Sequence, residues 1–254
     1  MKNIAIITGA SSGLGRAYAL KFIKDCKDLD EIWVIARRTK KLDELAALDS
    51  RVVGITLDLS LSKSFEYLAQ RFSQKTYNIK YLINCAGVEY NGSFRMMTKE
   101  KIDYLIDLNI KATTKMISTC QIYFAKGTNV INISSITGFL PIAGLAVYSA
   151  SKSYISFLTR ALREESKINH KGINYLCVYP GNMNTEMNKK DDPSHSKIVQ
   201  RLPWLNIDKI INKSLELVKK GKANYTPGLF YKNFRLIAKI LPNAWLIPLF
   251  KVKL

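Results

Sequence analysis

The sequence contains few residues that could bind a metal ion or form disulfide bonds. Its 254 residues include only two histidines, His170 and His195, and both lie in polar stretches. The four cysteines, at positions 26, 85, 120 and 177, show neither the paired spacing of metal ligands nor the pattern of a disulfide framework. These absences predict a protein without a metal site in a reducing, cytoplasmic setting.

Long apolar runs are also lacking. The first one, residues 4–7, is too short for a signal peptide and is followed by glycine and serine. Charged residues and two prolines interrupt the apolar C-terminal stretch, which excludes a membrane-spanning helix there. Because no linker, repeat or low-complexity run divides the chain, we expect a single domain over residues 1–254.

Acidic residues are scarce relative to basic ones. The chain has 39 lysines and arginines against 20 aspartates and glutamates, a net charge of +19, and no acidic residue follows Glu216. Nucleic acid is not an expected partner, since no recognition motif accompanies the charge. Attraction of anionic substrates, attraction of anionic lipid surfaces and simple solubility remain as explanations.

Short β-branched runs alternate with helical stretches along the chain. This alternation is typical of βαβ units and predicts a doubly wound α/β fold with a parallel sheet, of the Rossmann type. Ligands of such sheets bind at the carboxyl ends of the strands, near the switch in strand order. The predicted strands lie at about 3–8, 31–36, 51–57, 79–83, 128–134 and 173–178.

A glycine-rich turn joins the first predicted strand to the helix that follows it. Glycines at 9, 13 and 15 allow a tight turn, a close backbone approach to phosphate oxygens and close packing of the helix on the sheet. The helix N-terminus then directs unpaired N–H groups at an anion. The spacing is G-x-x-x-G-x-G, and its position between strand and helix predicts a nucleotide phosphate site.

Tyr148 and Lys152 are spaced to share one face of a helix. The Lys152 ammonium could stabilise the Tyr148 phenolate, so that a phenol with an ordinary pKa near 10 works as an acid or base near neutrality. Ser135 follows the β-branched run at residues 130–133, where a strand would deliver its hydroxyl to the same pocket. The alternative is an accidental pair on a solvated helix face.

Together these motifs resemble those of the short-chain dehydrogenase/reductase family. Residues 8–15 match its T-G-x-x-x-G-x-G turn, and residues 84–87 match its N-N-A-G segment with cysteine at the second position. The resemblance covers nearly the whole chain and implies a catalytic set of Asn109, Ser135, Tyr148 and Lys152. It also implies cofactor contacts at Gly9, Ser11, Ser12, Gly13, Leu14, Gly15, Arg37, Arg38, Asp58, Leu59, Asn84, Ala86, Gly87, Tyr148, Lys152, Pro180, Gly181, Met183 and Thr185.

The family resemblance implies a role for each member of the catalytic set. Ser135 would hold the substrate oxygen, Tyr148 would exchange its proton, and Lys152 would also bind the nicotinamide ribose. Asn109 lies on the apolar stripe of a predicted helix and should be buried. A buried amide needs partners, so it either satisfies backbone groups at a helix kink or, as the resemblance implies, orders a water beside Lys152.

Arg37 and Arg38 bear on the choice of cofactor. They follow the second predicted strand, where members that use NAD place an acidic residue for the ribose hydroxyls and this chain has Ala36. An arginine accommodates a 2′-phosphate instead, so we predict NADP(H) in preference to NAD(H). The alternative is that both arginines belong to a basic run on a solvated face.

Two regions bear on the substrate. Residues 182–206 are predicted to form a mobile lid, and the apolar loop at residues 138–145 should lie near Ser135 and Tyr148. The basic, apolar tail at about 226–254 is predicted to cover the substrate pocket or a subunit interface, with contact to a membrane surface as the alternative.

The sequence therefore predicts an NADP(H)-dependent oxidoreductase that acts on a secondary alcohol or ketone. The favoured substrate is hydrophobic, of a hydroxysteroid, bile-acid or lipid-like kind, and could carry an anionic group. The alternatives are a carbonyl reductase for small ketones and a non-catalytic NADP(H)-binding regulator. The resemblance also implies a homodimer or homotetramer that pairs through the predicted helices around 100–124 and 149–168.

Overall fold

The central feature of the protein, seen in a computed structural model, is a parallel sheet. The structure describes residues 1–190 and 201–249, apart from the side chains of residues 243 and 249. Neighbouring strands are all parallel, in the order β3-β2-β1-β4-β5-β6-β7. The strands are β1 (Lys2–Thr8), β2 (Glu31–Ala36), β3 (Val52–Thr56), β4 (Tyr77–Asn84), β5 (Phe124–Ile133), β6 (Asn174–Val178) and β7 (Asn224–Tyr225).

Helices cover both faces of this sheet. Within the described ranges they are α1 (Gly13–Asp25), α2 (Thr39–Ala46), α3 (Lys63–Ser73), α4 (Lys99–Ile106), α5 (Ala112–Cys120), α6 (Ala146–Ile168), α7 (Ile207–Lys219), α8 (Leu229–Ile240) and α9 (Asn243–Leu246). Helices α1, α2 and α7 pack on one face, and α3 and α5 on the other. In β1, Ala5 and Ile7 contact the first layer and Ile4 and Ile6 the second, which explains why this strand is apolar at four consecutive positions.

The predicted doubly wound α/β fold is confirmed. All six predicted strands are present, with bounds that differ by at most a few residues. The sequence did not predict β7, because two residues give no periodic signal. The helix expected around 100–124 is divided, since a π-helical turn at Asp107–Lys111 separates α4 from α5.

The order of the strands places a switch point between β1 and β4. The chain builds outward from β1 to β3 and then returns to the other side of β1. At the carboxyl end of this pair Thr8 lies opposite Asn84, and the Thr8 Oγ1 accepts hydrogen bonds from the N–H groups of Cys85 and Ala86 at 3.1 Å. A ligand of a doubly wound sheet is expected at this edge.

The predicted lid and tail are described in part. Residues 191–200 of the lid lie outside the described residues, as do residues 250–254 of the tail. The two described ends of the lid pair with each other, because the Leu205 N–H donates to the Asn182 carbonyl at 2.8 Å. In the tail, α8 ends before Pro242 and is followed by the short α9. Among the described helices, none is both long and apolar enough to cross a bilayer.

Candidate active site

A cleft of about 950 Å³ lies at the carboxyl ends of the strands. It brings together most of the residues that the sequence singled out, from seven separate segments. Those that line it are Gly9, Ser11, Ser12, Gly13, Leu14, Gly15, Arg37, Arg38, Asp58, Leu59, Ala86, Gly87, Ser135, Tyr148, Lys152, Pro180, Gly181, Met183 and Thr185.

The glycine turn forms one end of this cleft. Gly9 has a φ of 68°, and a Cβ at this position would lie 2.9 Å from the Ala86 nitrogen. A Cβ on Gly15 would overlap the Gly9 carbonyl, so α1 starts directly against the turn. The first N–H groups of a helix lack intrahelical acceptors, and the Ser12 side chain does not cap them here. The turn therefore fits the phosphates of a dinucleotide.

Arg38 lies against the glycine turn, whereas Arg37 points elsewhere. The Arg38 guanidinium donates to Ser11 Oγ at 3.1 Å and to a Glu186 carboxylate oxygen at 2.7 Å. The Arg37 guanidinium lies 5.4 Å from the centre of the Tyr104 ring and 3.9 Å from the Asp58 carboxylate. Of the two arginines, Arg38 is thus the one already held between the turn and an acidic acceptor.

Tyr148, Ser135 and Lys152 meet at the other end of the cleft. Their residues are 8%, 8% and 7% exposed, so the reacting groups are largely removed from water. The Ser135 hydroxyl is close enough to the Tyr148 hydroxyl to lower the pKa of Tyr148. The Lys152 ammonium donates to the Ile133 carbonyl at 3.1 Å and lies 5.5 Å from the centre of the Tyr148 ring. These contacts exclude the alternative of an accidental pair on a solvated face.

Burial dominates the protonation of these groups. It raises the pKa of Tyr148 above its usual range, the negative charge of Glu89 raises it further, and the neighbouring Ser135 side chain opposes the rise. Burial lowers the pKa of Lys152 to about 8. The direction for Tyr148 is opposite to the lowering expected from a neighbouring cation, because burial is the largest influence on its pKa.

Glu89 is a cleft residue that the sequence did not single out. It lies two residues beyond Gly87, lines the cleft, and is close enough to Tyr148 for each group to shift the pKa of the other. Burial raises the pKa of Glu89, while the charge of Lys152 and the neighbouring Tyr148 side chain lower it. The available signal was its position, since a carboxylate just after a strand end faces the ligand edge of a parallel sheet.

Asn109 lies behind the cleft and does not line it. It is 1% exposed, within the π-helical turn. Its amide forms a pair of hydrogen bonds with the backbone of Val88, accepting from the N–H at 2.8 Å and donating to the carbonyl at 2.9 Å. It also donates to Ser151 Oγ at 3.1 Å. Asn109 therefore satisfies backbone groups beside a helix irregularity, and this holds the loop that carries Glu89.

Two predicted cofactor residues have other contacts. The Asn84 side chain donates to Asn132 Oδ1 at 2.8 Å inside the sheet, where it joins β4 to β5, and it is not among the residues that line the cleft, so its contact with the cofactor stays a prediction. Leu59 touches the cleft but is 4% exposed and packs in the core, because its apolar side chain is more stable there.

Comparison with known proteins agrees with this geometry. A profile of the short chain dehydrogenase family matches residues 3–196. The chain belongs to this family. It is 27% identical over 254 residues to the putative oxidoreductase SadH of Mycobacterium tuberculosis, which covers 95% of this chain and 92% of that protein. It is also 30% identical over 204 residues to the very-long-chain 3-oxoacyl-CoA reductase of Anas platyrhynchos, covering 76% of this chain and 64% of the reductase.

A solved member of the family shares the architecture. The short-chain dehydrogenase from Sphingobium yanoikuyae in complex with NADPH has a TM-score of 0.75 and 27% sequence identity, with 96% of this chain and 98% of that chain covered. The protein is thus an oxidoreductase of the short-chain dehydrogenase family, of the kind that acts on alcohol and carbonyl groups.

In this short-chain dehydrogenase, the segment after β6 is fastened to the tail. The ring of Tyr231 lies against Gly181 so closely that a Cβ on the glycine would overlap it. The Tyr231 hydroxyl accepts from the Asn182 N–H at 3.3 Å and donates to the Pro203 carbonyl at 2.7 Å. Helix α8 therefore positions the segment that the family resemblance assigns to the nicotinamide.

Apolar side chains from two distant segments form the substrate side of the cleft. Ile142 and Leu145 come from the loop that the sequence placed near Ser135, as expected. Leu202, Phe230 and Phe234 come from the lid and from α8. The sequence offered a pocket wall as one reading of the tail, and the inner side of α8 does line the cleft.

Proposed function

We propose that the protein is an NADP(H)-dependent oxidoreductase that transfers a hydride between the nicotinamide and a secondary alcohol or ketone of a hydrophobic substrate. The observation that carries this proposal is the meeting of the Tyr148 and Ser135 hydroxyls, beside Lys152, at the apolar end of a cleft whose other end is a phosphate-binding turn. A carbonyl oxygen placed between two such hydroxyls is held and protonated at the same point.

The residues divide the work of such a reaction. The nicotinamide, when bound, supplies or accepts the hydride. Ser135 orients the substrate oxygen, and Tyr148 gives that oxygen a proton in reduction or removes one in oxidation. Lys152 keeps a positive charge beside the phenol, and the apolar walls exclude water. Because the Lys152 ammonium is also tied to the Ile133 carbonyl, its position is fixed before any ligand binds.

The preference for NADP(H) rests on the arginines after β2. Arg38 already contacts the glycine turn and forms an ion pair with Glu186, so the 2′-phosphate would replace a carboxylate as its partner. Arg37 is 57% exposed at its side chain and could turn toward the same phosphate. The structure of the Sphingobium relative with NADPH supports a nicotinamide cofactor of this kind.

The substrate is expected to be apolar around its reacting carbon. Ile142, Leu145 and Phe234 provide the walls, and one similar protein is named a very-long-chain 3-oxoacyl-CoA reductase, which favours a lipid-like chain. Glu89 adds a constraint, because a carboxylate beside Tyr148 repels an anionic group next to the carbonyl. An acidic group on the substrate should therefore lie far from the reacting carbon.

A turnover assay with NADPH and a matched series of ketones tests this function. We expect kcat/KM to rise with the length of an unbranched apolar chain and to fall when a carboxylate is placed next to the carbonyl. A preference for short ketones would favour the carbonyl reductase alternative. NADPH binding without turnover of any ketone or alcohol would favour the regulator and contradict the proposal.

A further inference from the structure

The outward side of α8 is apolar. Leu229, Leu236 and Ile240 are 74%, 58% and 72% exposed, and their spacing of seven and four residues places them on one side of the helix. Tyr231 and Ala238, at 0% and 9% exposure, lie on the opposite side and pack on the protein. The helix therefore carries apolar residues on both sides, although only one of them meets the core.

This apolar side continues into neighbouring positions. Leu241 and Trp245 follow it in the chain, and the Trp245 side chain is 66% exposed. We call this region the outer tail surface, and its residues are Leu229, Leu236, Ile237, Ile240, Leu241 and Trp245. Clusters of exposed apolar residues of this kind mark contact sites, and tryptophan is favoured where an apolar phase meets water.

The charges around the outer tail surface indicate what it contacts. Lys232 and Lys239 are exposed on the same helix. No acidic residue follows Glu216 in the chain. A second copy of the protein would place basic groups against basic groups, whereas an anionic lipid surface complements both the lysines and the apolar side chains. We propose that the outer tail surface docks the protein on an anionic lipid bilayer.

Docking would place the cleft beside the lipid. The inner side of α8 contributes Tyr231 and Phe234 to the cleft wall, so the helix separates the bilayer from the cleft by its own thickness. A lipid-like substrate could then enter without crossing bulk water. This consequence rests on the proposed function, whereas docking itself requires no turnover and is measured without substrate.

Vesicle flotation of the full-length protein tests the docking. Vesicles of equimolar phosphatidylglycerol and phosphatidylcholine should carry the protein upward, and vesicles of phosphatidylcholine alone should carry much less. The variant Leu236→Gln/Ile240→Gln should bind the anionic vesicles about tenfold more weakly or worse, because two partly inserted side chains lose their apolar area. Lys232→Gln/Lys239→Gln should weaken binding to a similar degree and reduce its dependence on salt.

A matched variant controls for loss of apolar surface in general. Leu48 and Ile122 are 58% and 77% exposed, close to the values for Leu236 and Ile240, but lie outside the tail. Leu48→Gln/Ile122→Gln should float like the unmodified protein. If it lost binding equally, or if the tail variants kept full binding, the proposal would be overturned.

A second measurement distinguishes insertion into lipid from misfolding of a variant and from binding of a second copy of the chain. Brominated lipids should quench the fluorescence of the unmodified protein, and Trp245→Phe should remove most of that quenching. Absence of quenching would contradict insertion of the outer tail surface. Two results together would also contradict it: no binding to vesicles, and a dimer, measured by light scattering, that Leu236→Gln/Ile240→Gln dissociates. The outer tail surface would then contact a second copy of the chain.

Discussion

The two ends of the cleft are built in different ways. At the phosphate end, backbone segments pack directly against each other. A Cβ on Gly9 would overlap the backbone of Ala86, and a Cβ on Gly15 would overlap the carbonyl of Gly9. At the substrate end, side chains from distant segments meet, among them Tyr148 and Glu89. The first arrangement tolerates almost no change in shape. The second can change its chemistry while the fold persists, which is where differences in substrate are expected to arise.

The largest effect on turnover is expected from a substitution at the substrate end that leaves the shape of the cleft unchanged. Tyr148→Phe keeps the ring but removes the proton donor, so we expect turnover to fall by about two to four orders of magnitude. NADPH affinity, measured by fluorescence titration, should stay within a few-fold. Tyr225→Phe, in β7 and outside the cleft lining, serves as the control. Substantial turnover by Tyr148→Phe would remove this residue from proton transfer.

A smaller effect, of another kind, is expected at the phosphate end. Gly9→Ala should lower the free energy of unfolding by about 3 kcal/mol and weaken cofactor binding, because it adds an overlap with Ala86 to a strained φ of 68°. Gly127→Ala isolates the strain, since Gly127 has a φ of 89° and no atom near its missing Cβ. That control should cost about 1 kcal/mol. If Gly9→Ala and Gly127→Ala lowered the free energy of unfolding in urea equally, the close approach of Gly9 to Ala86 would not contribute to stability.

Arg37 and Arg38 test a second property of the phosphate end, because their contribution there comes from charge and not from the close packing of the backbone. Arg38→Ala should weaken NADPH binding by about 1.5–3 kcal/mol, the range for hydrogen bonds to a charged group, and leave NADH binding nearly unchanged. Arg37→Ala should have the smaller effect, as Arg37 is turned toward Tyr104 and Asp58. If both cofactors lost affinity equally, these side chains would contact something other than the 2′-phosphate.

The sequence was most informative where neighbours in the chain determine the structure. The strand, glycine turn and helix of residues 2–25 could be predicted because their signals are local, and the spacing of Tyr148 and Lys152 fixes them on one helix. Contacts between distant segments left no such signal. Tyr231 lies on Gly181, and Asn109 holds Val88, through packing that no periodic pattern encodes.

The pKa of Tyr148 and the role of Glu89 could not be predicted either, because both depend on contacts between segments that are distant in the chain. The pKa of Tyr148 depends on how deeply it is buried, and burial could not be read from its helix alone. Glu89 matters because α6 brings Tyr148 to it across 59 positions of the chain. The family resemblance predicted the positions of the candidate catalytic set, while the surroundings of these residues required the three-dimensional structure.

The smallest effect should follow from Glu89→Gln. The charge of Glu89 raises the pKa of Tyr148, so its removal should lower that pKa. Oxidation of an alcohol needs Tyr148 to accept a proton, and its rate therefore rises with pH through this pKa. We expect the rising part of the pH profile to move to lower pH, because one neighbouring negative charge is lost.

A carboxylate elsewhere in the cleft provides the control for this shift. Glu186 pairs with Arg38 at the phosphate end, so Glu186→Gln should leave the pH profile in place. Glu89→Gln should in addition accept ketones with a nearby carboxylate better than the unmodified protein, because the repulsion is gone. An unmoved profile with unmoved substrate preference would show that Glu89 is neutral in the working enzyme. The phosphate end and the substrate end of the cleft would then differ in how they are built, but the charge of Glu89 would not contribute to the difference.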